Sequence, residues 1–81
     1  MTVPDDVEPG LYRHYKGNLY EVIGVASHSE TEQRLVVYRA LYGLRGMWVR
    51  PFDMFVSEVL VDGERVRRFA PVAGDEQHQQ L

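Results

Sequence analysis

The stretch GLYRHYKGNLYEVIGVA, Gly10 to Ala26, decides the fold. Two runs rich in Tyr, Val, Ile and Leu flank Lys16-Gly17-Asn18. Such runs around a Gly-Asn pair read as a β-hairpin. Two registers are open. A two-residue Gly17-Asn18 turn pairs Tyr15 with Tyr20 and His14 with Glu21. A three-residue Lys16-Gly17-Asn18 loop pairs Arg13 with Glu21 and Leu11 with Ile23. The second is preferred, because it sets opposite charges and apolar residues across from one another.

The segments downstream continue the β pattern. In RLVVYRALYG, Arg34 to Gly43, consecutive β-branched residues favour a strand. Alternation puts Val36, Tyr38, Ala40 and Tyr42 on one face and Leu35, Val37, Arg39 and Leu41 on the other. Both faces are largely apolar, as in a strand of a small barrel. GLRG, Gly43 to Gly46, is a turn, and MWVR is a short strand whose ladder Pro51 ends. PFDMF, Pro51 to Phe55, reads as one helical or 3₁₀ turn with Pro51 at its first position. SEVLVDGERVRRFAPV is a second hairpin with Asp62-Gly63 as its tight turn. The sum is an all-β domain of about five short strands, a small barrel or sandwich.

Composition bounds the rest. Eighty-one residues make one domain with a thin core. The absence of cysteine excludes disulfides and any Cys-based zinc site. Residues 1–9 hold Pro4, Pro9 and three acids and read as a disordered leader; residues 73–81, AGDEQHQQL, read as a flexible tail. The folded body is then 10–72. All nine Lys and Arg lie between Arg13 and Arg68, so this body holds nine cations against seven anions although the chain has a net charge of −3. That surplus permits an anionic partner, but nucleic-acid domains are usually far more basic. No apolar run approaches the roughly 20 residues of a membrane helix, and no signal peptide is evident. A soluble cytoplasmic protein without a membrane partner is the expectation.

Four blocks in order carry a resemblance: YRHYKG, HSETE, VVYRALYG and WVRPFDMF, followed by Arg68-Phe69. Over roughly residues 10–70 the chain resembles the bacterial family known as domain of unknown function 1653. The resemblance implies a small SH3-like β-barrel and brings no activity, cofactor or catalytic residue. Ser27 stands where the family pattern leads one to expect a basic residue, and Arg67 where it leads one to expect Pro. Likeness to SH3 barrels favours a binding module by association.

Two stretches invite chemistry. HSETEQ, His28 to Gln33, concentrates acid–base and nucleophile types. Consecutive residues of an extended chain point to opposite sides, so His28 and Ser29 do not converge on one atom. A structural turn is the better reading, ahead of a groove rim that carries His28 and Glu30. The rival is a small hydrolase or transferase using His28 with Glu30 or Glu32. His14 and His28 lack the spacing of a metal pair, and no metal or other cofactor is implied. WVRP is the sharper hint, since Trp48 and Arg50 share a strand face and both types dominate binding hot spots. Arg39, inside an apolar strand, needs a partner, and Glu30 or Glu32 is the candidate. Phe52, Phe55 and Phe69 are assigned to the core. The expected site is an aromatic and arginine surface of Tyr12, His14, Tyr38, Arg39, Trp48 and Arg50, with His28 and Glu30 at its rim. Its ligand would be a peptide, a single-stranded nucleic acid or a small anion. A homodimer formed through an open sheet edge is the third class.

Overall fold

A computed structural model describes residues 6–72. The elements are β1 (Gly10–His14), β2 (Leu19–Ser27), β3 (Arg34–Ala40), β4 (Met47–Pro51), the one-turn helix α1 (Phe52–Phe55), β5 (Glu58–Val61), β6 (Glu64–Arg67) and β7 (Phe69–Pro71). The domain is all-β, as expected, but it has seven strands rather than about five. Five form an antiparallel sheet in the order β4-β3-β2-β1-β7, and β5-β6 is a separate hairpin. Among the described residues no ladder joins β4 to β7, so the sheet is open along those two edges.

The first hairpin has neither expected register. Arg13 stands opposite Leu19, Tyr12 opposite Tyr20 and Leu11 opposite Glu21. The loop is Tyr15-Lys16-Gly17, closed by a 2.9 Å bond from the His14 N–H to the Asn18 carbonyl. The last residue of a three-residue hairpin loop takes positive φ. Gly17 occupies that position at φ 111°, where the expected loop would have used Asn18. The slip from the expected three-residue loop is by an even step, so the assignment of residues to faces survives it. Glu21 therefore faces Leu11, not Arg13. Ile23, expected opposite Leu11, falls in a β-bulge between Val22 and Gly24 and is exposed.

The second hairpin turns at Asp62-Gly63 as expected, with φ of 51° and 83°, and pairs Val61 with Glu64. Two adjacent positive-φ residues are the signature of a two-residue turn matched to strand twist. Pro51 closes β4 and caps α1 from outside it, at φ −51° and ψ 137°, so it precedes the first helical residue.

The core lies on one face of the large sheet, covered by α1. Val36, Tyr38 and Ala40 of β3 are buried, with Val36 fully so, as their shared face requires. Tyr12, Val22, Phe52, Phe55, Val56 and Phe69 complete it. All three phenylalanines are core, as assigned. Phe55 and Phe69 stack with ring centroids 4.2 Å apart, and Tyr12 meets Phe55 edge-on at 5.6 Å. Val7 is also buried in this cluster, and the Glu8 carbonyl accepts the Tyr12 hydroxyl at 2.9 Å. Val7 of the expected leader thus packs on the core, while Asp6, Glu8 and Pro9 are exposed; residues 1–5 and the expected tail, 73–81, lie outside the described residues. Among the described residues no helix is long and apolar enough to cross a membrane.

Phe55→Ala removes one half of the stacked pair in a small core. It is expected to cost about 3–5 kcal/mol, measured by urea denaturation. Val7→Ala is expected to cost about 2 kcal/mol, although Val7 lies in an acidic, Pro-bearing stretch.

Candidate functional site

The core face of the sheet extends past the end of its cover. Ladder register puts Tyr20 opposite Ala40, Tyr38 opposite Trp48 and Val36 opposite Arg50. Directly opposed residues share a face, so all six sit on the core side. Toward Val36 that side is roofed by α1 and Phe69. Toward Ala40 it opens into a groove of about 570 Å³, bounded by Tyr20, Tyr42, Trp48, Arg50 and the Gly43–Gly46 turn. The turn is held by bonds from the Ala40 N–H to the Gly46 carbonyl and from the Arg45 N–H to the Tyr42 carbonyl, at 3.1 and 3.0 Å.

Arg50 forms the floor. Its Nε donates to the Tyr38 hydroxyl at 3.3 Å, and its guanidinium carbon lies 5.4 Å from the centre of the Phe69 ring. It is half-buried, and among the described residues its terminal nitrogens have no hydrogen-bond or ion-pair partner. Trp48, beside it, is 60% exposed. Tyr20 and Tyr42 join hydroxyls across the groove at 2.6 Å. Burial, and then the bond to Tyr42, push the Tyr20 phenol up to about 12.

The expected site residues do not all converge. Tyr38, Trp48 and Arg50 meet in the groove. His14 lies close by, its ring 4.9 Å from Phe69 and 6.3 Å from Tyr20. Tyr12 is inside the core, where burial raises its phenol. Arg39 is on the opposite sheet face, across the ladder from Glu21 and Met47. Glu30 and Glu32 cannot serve Arg39, because they belong to the turn before Arg34, the first residue of β3. Arg39 stands five residues further along, roughly 16 Å of strand. In register Arg39 stands opposite Glu21 instead, and among the described residues no hydrogen bond or ion pair joins the two side chains.

His28 is spent on its own turn. Its Nδ1 accepts the N–H groups of Glu30 and Thr31 at 3.1 and 3.3 Å, and its carbonyl accepts the Glu32 N–H at 2.8 Å. The Thr31 hydroxyl accepts the Gln33 N–H at 3.2 Å. The imidazole satisfies backbone donors of a tight turn in which Glu32 takes φ 63°. Among the described residues no three His, Asp or Glu side chains gather as a metal site.

Sequence reasoning left Tyr20, Tyr42 and the Gly43–Gly46 turn out of the site. The alternation of β3 had already placed Tyr42 with Tyr38. Tyr20 joins them only through the β2–β3 register, which no local pattern states.

The fold and groove define a small all-β domain with an aromatic and arginine-bearing recess on its core face. Residues 10–71 match the family model of a protein of unknown function, DUF1653, and the chain belongs to that family. The crystal structure of a DUF1653 protein from Bordetella bronchiseptica is 38% identical, superposes with a TM-score of 0.77, and covers 84% of this chain and 90% of its own. No curated protein matches the sequence.

Two measurements probe the side chains just placed. Desolvation, then Arg50, Arg68 and Lys16, hold the His14 imidazole below its ordinary value of 6.5. The folded state therefore favours neutral His14. Below about 6.5 the unfolded chain takes up a proton that the folded chain resists. Stability is full above that pH and falls as pH drops through the lowered folded value. Denaturation curves at stepped pH are expected to show this loss, and His14→Gln to reduce it. His28→Ala leaves two turn N–H groups without their acceptor. It is expected to cost about 1 kcal/mol and leave the Trp48 fluorescence unchanged.

Proposed function

We propose that this domain is a non-catalytic binding module that takes the carboxylate of an extended peptide in the Trp48–Arg50 groove. The supporting observation is the half-buried Arg50 guanidinium, whose terminal nitrogens have no partner among the described residues although Tyr38 fixes its Nε. A guanidinium held on one edge offers its other donors in a set geometry, and a carboxylate fits them. Trp48 and the tyrosines supply apolar walls with polar tips, as peptide-binding grooves do.

Charge favours a peptide over a nucleic acid. Two cations, Arg45 and Arg50, line the groove. Single-stranded nucleic acids need a cationic track along several phosphates. The acid–base alternative draws little support from His28, whose Nδ1 is occupied by backbone donors. A cytoplasmic setting is consistent with the cysteine-free composition.

The test is an NMR titration of labelled protein with short peptides bearing Asp or Glu, their Asn and Gln counterparts, and an oligothymidylate. Acidic peptides are expected to shift the Trp48 indole signal. Arg50→Gln is expected to weaken that binding roughly 10- to 100-fold, the loss of a charge-assisted pair. Equal shifts from amide and acid peptides, or unchanged affinity in Arg50→Gln, would overturn the reading. Tighter, strongly salt-dependent binding of the oligothymidylate would replace the peptide with nucleic acid.

A further inference from the structure

We infer that the open edge of β4 pairs with the β4 of a second copy of this chain, in antiparallel register about Val49. β4 is the end strand of the sheet, and Met47, Trp48 and Val49 on it are all exposed. The bond from the Ala40 N–H to the Gly46 carbonyl fixes which groups point where. In an antiparallel ladder hydrogen-bonded pairs alternate, so Trp48 and Arg50 direct their backbone groups toward β3. Met47 and Val49 direct theirs outward. An unpaired row of this kind is a template for another strand.

The strand MWVRP is self-complementary about its centre. Antiparallel pairing on a two-fold axis at Val49 sets Val49 opposite itself, with two N–H to carbonyl bonds. It sets Met47 opposite Pro51, where the Met47 N–H meets the carbonyl of a residue that lacks an N–H of its own. On the groove face it sets each Trp48 opposite an Arg50 of the other copy, twice over. Indole and guanidinium are a favourable cation–π pair, and like charges never face each other. On the opposite face Met47, Val49 and Pro51 of both strands adjoin Val37, forming one apolar strip where each copy alone exposes a shallow apolar pocket. The partner would thus bring a second Trp48 to the rim of the groove. The register stands whether or not the groove binds a peptide.

Five residues a side make a small interface, below the about 800 Å² per partner of a standard complex. The dimer is therefore expected to be weak and concentration-dependent. Sedimentation equilibrium of the full chain, from micromolar to millimolar, is expected to show the mass rising from one chain to two. The Val49 amide should exchange more slowly as concentration rises. Val49→Lys places like charges on the axis, on the side away from the groove. It is expected to weaken association at least tenfold while circular dichroism stays unchanged. If Val49→Lys does not fold, deuterium exchange of the wild-type chain at the two concentrations gives the answer alone. A mass of one chain at every concentration would overturn the inference, as would a dimer whose Val49 amide exchanges freely. So would undiminished association of folded Val49→Lys. Peptide titration of folded Val49→Lys tests the groove separately.

Discussion

The ring of Phe69 is the point on which the rest of the fold converges. Phe55 stacks on it at 4.2 Å, His14 meets it at 4.9 Å, Tyr20 at 5.5 Å and Tyr38 at 5.7 Å. Arg50 lies over it at 5.4 Å. These residues come from β1, β2, β3, β4, α1 and β7. A domain this small has few buried side chains, and one large ring ties all five strands of the large sheet to the helix. β7 has only three residues, yet its pairing with β1 delivers Phe69 to this place, opposite His14.

The groove follows from the same arrangement. β3 and β4 run on past the area that α1 and Phe69 cover, so the core-facing side continues into solvent. The residues there are Tyr, Trp and Arg, which tolerate one apolar and one wet side. Arg50 sits at the transition, stacked toward the core and open toward the groove. Its position explains why a cation is tolerated without a carboxylate beside it among the described residues. The aromatic faces and the Tyr38 hydroxyl meet it on the inner side, and water reaches it on the outer.

Much of this was legible beforehand. Alternation in β3 assigned Val36, Tyr38 and Ala40 to one buried face, and the two-residue spacing of Trp48 and Arg50 placed them together. The Asp62-Gly63 turn, a helical turn expected at 51–55 and found at Phe52–Phe55, and the three core phenylalanines were each readable from local chemistry. The register of the first hairpin was not. Charge pairing pointed to Arg13 opposite Glu21, whereas the positive φ demanded by the loop drew Gly17 to its last position. Nor was Val7 readable, because an acidic stretch with two prolines looks too polar to join a core. His28 looked chemical because its residue type is, yet its ring nitrogen accepts the backbone donors of its own turn.

By itself the sequence determined period, turn chemistry and family, and so an all-β domain with Trp48 and Arg50 on one face. These are local properties, set by side-chain alternation and by which residues accept positive φ. Tertiary structure alone decided that Tyr20 and Tyr42 would share a hydrogen bond and that Tyr12 would be core rather than surface. Each of those depends on which strands become neighbours and in what register. A one-residue slip would move every side chain of a strand to the other face. Turn chemistry and the packing of distant rings around Phe69 together select among the possible slips.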